Sequence, residues 1–224
     1  MSHPDPDVPL LRAVAVMDRL RSPGGCPWDA AQTPSSLAPY LLEETYELLE
    51  AIDGDDAALL REELGDLLLQ VLFHARLAEE RPDGERFGID DVAADLVAKL
   101  VRRHPHVFAD GRADTPGQVA TAWDSIKRTE KHRESVTDGI PAAQPALALA
   151  AKLLSRTRRA GVDVALPSTE HLGGQLFALV DEAVRSGVDP EHELRRAANH
   201  YRTAVRRAEQ AVSPARDTNR DIGP

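Results

Sequence analysis

Apolar residues recur along almost the whole chain at intervals of three and four, the period of one face of an α-helix. Leu10, Val14, Met17 and Leu20 set a first helix over 9–21, which Pro23-Gly24-Gly25 stops. A loop over 26–32 follows. Thr33 or Ser35 then caps a second helix running to residue 52, and Asp53-Gly54-Asp55-Asp56 breaks it. The pattern resumes over 57–80, pauses at Arg81-Pro82-Asp83-Gly84, and continues over 90–104 until Pro105. Thr115-Pro116-Gly117-Gln118 reads as a capping box opening a helix to residue 134. Gly139-Ile140-Pro141 marks a boundary, beyond which helical stretches are expected near 142–160, 172–186 and 190–211. Strand-like alternation plays no part in this reading, so the expected fold class is all-α.

A weak internal repeat is superimposed on the pattern. His171-Leu-Gly-Gly174 has the rhythm of Glu63-Leu-Gly-Asp66, and Gly187-Val188-Asp189 echoes Gly88-Ile89-Asp90. The second half reads as a shortened copy of the first. The expected organisation is a loose tail over 1–8, a helical domain over 9–136, a degenerate second half over 137–212, and a second loose tail over 213–224.

Composition narrows the function. The 224 residues are enough for one large domain or two small ones, with 42% hydrophobic side chains but only 4% aromatics. Ala and Leu dominate the apolar set, and both favour helices. A net charge of −10 disfavours binding to a nucleic acid polymer, which asks for a basic face. A small phosphate ligand needs only a local basic cluster or a bound cation. The single cysteine, Cys26, excludes an intrachain disulfide or a thiolate cluster. It reads as a packed loop residue, with no activating base placed beside it. No segment approaches the roughly 18 apolar residues of a membrane span. The polar, Pro-rich start does not resemble a signal peptide, so a cytoplasmic location is expected.

Two acidic groups carry the candidate chemistry: Glu43-Glu44-x-x-Glu47 in the second helix and Glu63-x-x-Asp66 in the third. Three-residue spacing puts Glu44 with Glu47, and Glu63 with Asp66, on one face of their helices. Asp66 is followed by Leu67-Leu68-Leu69 and Val71-Leu72-Phe73, which predicts a helix buried on nearly all sides. Helices joined by a short loop pack antiparallel, so the four carboxylates can face one another. At an effective dielectric of about 20, each pair about 4 Å apart repels by about 4 kcal/mol. Such a cluster takes up protons or holds a cation. An all-oxygen ligand set, with no cysteine and no Glu-x-x-His pair, selects Mg²⁺, or Mn²⁺, over zinc or di-iron. Glu43 and Glu50 taken alone fit a solvated face equally well. His74 reads as a hydrogen-bonded core histidine, and His104 and His106, flanking Pro105, as structural.

Glu-Glu-x-x-Glu, a 15-residue gap and Glu-x-x-Asp resembles the signature of the all-α nucleoside triphosphate pyrophosphohydrolases, and within them the MazG family. The resemblance extends to Cys26-Pro27-Trp28-Asp29-x-x-Gln32-Thr33, to Gly65-Asp66-Leu67-Leu68-x-Gln70-Val71, to Arg102-Arg103-His104-Pro105-His106-Val107-Phe108 and to Trp123-x-x-Ile126-Lys127. It covers 10–135 strongly and 136–212 weakly. It implies a four-helix-bundle-type domain that hydrolyses nucleoside triphosphates to monophosphate and pyrophosphate, in nucleotide-pool house-cleaning. It further implies that Glu44, Glu47, Glu63 and Asp66 hold Mg²⁺, with Glu43 beside them as outer partner or water-orienting base. Lys99 and Arg103 take the phosphates, Trp123 stacks on the base, and Lys127 adds a phosphate contact. A homodimer with sites near its interface is implied as well. The residue-level alternatives are a solvated basic face for Lys99 and Arg103 and a core aromatic for Trp123. The chain departs from the family at Pro34, where members often carry His. It departs again in the second half, where His171 and Gly174 replace the acids, so catalysis is assigned to 10–135. The rival function is a non-catalytic nucleotide-binding regulator or adaptor.

Overall fold

The structure is a computed structural model and describes residues 8–130 and 134–212. It has ten helices and no strand among the described residues, as the all-α reading requires. The chain divides into two compact units, Met1–Ala113 and Asp114–Pro224. This division falls ahead of the helix that the sequence reading kept with the first half.

The first unit begins with α1 (Pro9–Arg21) and α2 (Pro27–Ala31). The α2 turn lies where a loop is expected. Pro27 supplies a pre-set φ at the first helical position, and the Gln32 side chain donates to the Trp28 carbonyl. Between α1 and α2 the chain turns so closely that a Cβ on Gly25 would lie 2.2 Å from the Leu20 carbonyl oxygen, which leaves glycine as the residue that fits.

α3 (Pro34–Gly54) and α4 (Ala57–Ala78) form the main hairpin of this unit. Thr33 caps α3 reciprocally: its hydroxyl accepts from the Ser36 N–H at 3.1 Å, and Ser36 Oγ accepts from the Thr33 N–H at 2.9 Å. Pro34 occupies the first turn, where its missing N–H costs nothing. At the other end Asp55 adopts φ 51°, and Asp56 accepts the Ala58 and Leu59 N–H groups. The break is thus two residues, shorter than Asp53–Asp56 suggests, and so tight a turn sets the helices antiparallel. α5 (Ile89–Arg103) and α6 (Pro105–Phe108) complete the unit. Pro105 ends α5, as expected, and also starts α6.

The core of this unit is Met17, Leu37, Leu72, Phe73 and Leu77, with Ala13, Val14, Leu20 and Ile89 packed around them. It sits where α1 crosses the start of α3 and the end of α4. Ion pairs close its rim: Arg21 to Glu80 at 2.7 Å, and Arg76 to Asp18 at 2.7 Å. The expectation that α4 is buried on nearly every side does not hold within one chain. Leu64 is 51% exposed, and Leu68, Leu69 and Val71 are exposed as well.

The second unit holds α7 (Pro116–Glu130), α8 (Ala146–Arg159), α9 (Leu172–Arg185) and α10 (Pro190–Val212). Gln118 closes the α7 cap by accepting the Thr115 N–H, while its own N–H donates to Thr115 Oγ1. α8 starts later than the expected residue 142 because Pro145 disfavours helix in the residue before it and serves as the N-cap. Leu154 of α8 and Val180 of α9 are buried. Asp181, also buried, is held by Arg158 and by Arg185, the latter at 3.1 Å.

Candidate active site

The α3–α4 hairpin carries the acidic residues. Glu44, half-buried on α3, meets Glu63 and Asp66 of α4, and each offers a carboxylate oxygen within 4.8 Å of the other two. Glu63 is buried, at 8% exposure, and its Oε2 has no hydrogen-bond partner. An orphaned buried carboxylate oxygen is costly. Burial, followed by the charges of Asp66, Glu47, Glu63 and Glu43 in that order, raises the Glu44 pKa above its ordinary value. Burial, then Glu47, Asp66 and Glu62, raises that of Glu63.

Glu47 and Glu43 are exposed on α3. Glu47 stands outside the set of three converging oxygens, though its charge reaches both Glu44 and Glu63. Glu43 acts on Glu44 more weakly than the other acids do. Three carboxylates converge at once and the other two lie at the margin.

This donor set fits a hard divalent cation. All three donors are carboxylate oxygens, one is orphaned and buried, and burial with the neighbouring acids disfavours the charged forms of Glu44 and Glu63. The three oxygens lie within 4.8 Å of one another, close enough to share one such cation.

The remaining candidates are distributed between the units. Lys99 is half-buried on α5, and Arg103, one turn on, is buried and engaged with other groups. A solvated basic face therefore does not describe Arg103. Trp123 and Lys127 are half-buried on α7 of the second unit, and both make interactions. His104 Nδ1 pairs with the Leu100 carbonyl at 2.7 Å and its ring stacks tilted on His106, in line with structural roles. His74 departs from the hydrogen-bonded histidine expected of it: its Nε2 is buried and has no partner. Cys26 is half-buried at the start of α2, with its N–H bonded to the Leu20 carbonyl, as a packed loop residue should be.

Gln70 was not among the expected site residues. It lies one turn beyond Asp66 on the same face of α4, is 4% exposed, and leaves its Oε1 without a partner. The signal was present in the sequence: Glu63, Asp66 and Gln70 follow helical spacing, and a polar residue among Leu67-Leu68-Leu69 and Val71-Leu72 is out of keeping with a plain core.

The weak repeat aligns Gly174 with Asp66. A Cβ at Gly174 would lie 1.8 Å from the Ser168 carbonyl oxygen, so the loop backbone occupies the space that a side chain needs. No carboxylate fits at that position of α9.

A helical hairpin whose two members contribute converging carboxylates, one of them orphaned, is a framework suited to a divalent cation. The model of the MazG nucleotide pyrophosphohydrolase domain matches residues 32–108. An uncharacterised 26.1 kDa protein of Streptomyces cacaoi is 52% identical over 93% of this chain and 86% of its own length. A nucleoside triphosphate pyrophosphohydrolase of Mycobacterium tuberculosis is 45% identical over 92% of this chain, which spans 60% of that relative. The nucleoside triphosphate pyrophosphohydrolase/pyrophosphatase MazG of Thermotoga maritima is 38% identical over 89% of this chain and 85% of its own. The chain belongs to the MazG family of nucleoside triphosphate pyrophosphohydrolases. No helix among the described residues is long and apolar enough to cross a membrane.

Proposed function

We propose that this chain hydrolyses nucleoside triphosphates to monophosphate and pyrophosphate in the cytosol, using Mg²⁺ held on the α3–α4 hairpin. The observation that carries the proposal is the convergence of Glu44, Glu63 and Asp66, with Glu63 Oε2 buried and unpaired. Those three residues and Glu47 hold the cation. A divalent ion held there would supply charge neutralisation for the triphosphate and would acidify a water molecule. Glu43, exposed beside the cluster, orients that water and accepts its proton.

Lys99 and Arg103 receive phosphate oxygens, the lysine as a point charge and the arginine through its fork. Trp123 stacks on the base, and Lys127 adds a phosphate contact. The resemblance around Trp123-x-x-Ile126-Lys127 supports these two roles. Placement of charge, rather than covalent chemistry, supplies most of the rate.

The exposed apolar residues of the hairpin, with Leu42 55%, Leu64 51% and Leu69 41% exposed, support a homodimer formed over it. Hydrolysis by a pool-cleaning enzyme also calls for discrimination among bases, and an unpaired, buried Gln70 near the acids suits such a role.

A pyrophosphate-release assay over a panel of ribo- and deoxyribonucleoside triphosphates, with and without Mg²⁺, tests the proposal. Release that requires metal and is lost in Glu47→Ala supports it. Nucleotide binding without pyrophosphate release would assign the chain instead to a regulatory or adaptor role.

A further inference from the structure

The second unit holds an open cleft of about 790 Å³ along α8, also lined by Val184 and Arg185 of the last turn of α9 and by Asp189 just ahead of α10. Its lining is unlike the rest of this acidic chain. Lys152, Arg158, Arg159 and Arg185 face it, against a single lining carboxylate, Asp189. Asp189 is already committed, since its Oδ1 accepts the Glu191 and His192 N–H groups at the start of α10. Asp181 is buried and pairs with both Arg158 and Arg185 of the lining. Lys152, Arg158 and Arg185 thus stand against Asp181 and Asp189, in a chain whose total is −10.

Asp181 does more than offset charge. Bonded to Arg158 on one oxygen and to Arg185 Nε at 3.1 Å on the other, it fixes two guanidinium groups from different helices at the cleft. A guanidinium held at one edge keeps its other N–H groups for a second acceptor, which is how paired arginines are organised for phosphate. Lys152 lies about two turns back along α8 and is exposed, and Ser155 sits between them. The floor is Ala148, Ala151 and Val184, with no aromatic group to hold a base. Such a lining binds through charge and hydrogen bonds rather than apolar anchors, and its volume suits a small molecule rather than a polymer.

We propose that this cleft binds a phosphoanhydride chain, whether inorganic pyrophosphate or the phosphate tail of a nucleotide, at a site separate from the acidic cluster. It requires no divalent cation, because the chain itself supplies the positive charge. The binding is independent of the catalytic reading and stands or falls without it.

Calorimetric titration of the full chain in EDTA with pyrophosphate, ATP and orthophosphate tests the site. In EDTA the acidic cluster repels phosphate and contributes nothing. Saturable binding of pyrophosphate or ATP, tighter than orthophosphate, is expected, with the stronger of the two identifying the source. Lys152→Glu should weaken it by about tenfold or more, the effect of reversing one charge near the ligand. Arg185→Gln should weaken it too, while Asp66→Asn leaves it unchanged. Thermal unfolding of each variant checks that the fold is retained, and Lys152, being exposed and without a structural bond, keeps the test valid if Arg185→Gln does not fold. Absence of saturable binding, equal affinity in wild type and Lys152→Glu, or loss of binding in Asp66→Asn would each overturn the proposal.

Discussion

Replacing Asp66 by Asn removes one charge from the acidic cluster and keeps its shape. Asp66 and Glu44 present oxygens within 4.8 Å of each other. At an effective dielectric of about 20, two charges about 4.8 Å apart repel by about 3.5 kcal/mol. Both residues are only half-buried, so water and salt reduce this to about 1 kcal/mol. Without metal, Asp66→Asn should therefore be more stable than wild type, unfolding about 2–4 °C higher for a protein of this size. With a divalent cation the order reverses. At about a hundredfold excess over Kd, wild type gains about 2.7 kcal/mol, and the variant gains little of it. Circular dichroism melts of both proteins, in EDTA and in Mn²⁺, measure all four states. A variant that melts below wild type in EDTA, or that responds to Mn²⁺ as wild type does, would refute the electrostatic account of the cluster.

Further expectations concern pH and packing. Glu44 and Glu63 have folded pKa values raised above 4.5, so the folded chain holds their protons more tightly than the unfolded one. Their contribution is full below that value and is lost as pH climbs through the raised folded pKa. In EDTA, the stability advantage of Glu44→Gln over wild type should thus widen from pH 4.5 towards neutrality, as read from urea midpoints; a constant gap contradicts the shift. Leu37 is 1% exposed at the centre of the first core, so Leu37→Ala should cost about 2–5 kcal/mol in urea unfolding. Gly174→Asp should destabilise the chain without creating a second metal site, because the Ser168 carbonyl blocks the new side chain; metal stoichiometry by calorimetry would show any added site.

Much of this molecule is legible in the sequence because its signals are local. Thr33 with Pro34, Asp56 and Pro105 bound their helices through bonds made within a few residues. The acids of α3 and α4 could be paired because a two-residue turn leaves one arrangement for the hairpin. Signals fail where long-range packing decides. The exposed side of α4 reads as core from Leu64, Leu68 and Leu69, since sequence hydrophobicity records what a helix must cover, not whether the same chain covers it. Gln70 follows the spacing of Glu63 and Asp66, but its burial and its unpaired Oε1 are visible only in the fold. Gly174 resembles simple loss of an acid, and only the Ser168 backbone supplies its physical reason.

On the proposed reading, the negative charge gathered between α3 and α4 holds a divalent ion. Anomalous diffraction from crystals of the full chain grown with Mn²⁺ addresses it most directly. A manganese peak bonded to oxygens of Glu44, Glu63 and Asp66 is the predicted result. A Mn²⁺ peak elsewhere, with those three carboxylates hydrogen-bonded among themselves, would contradict it.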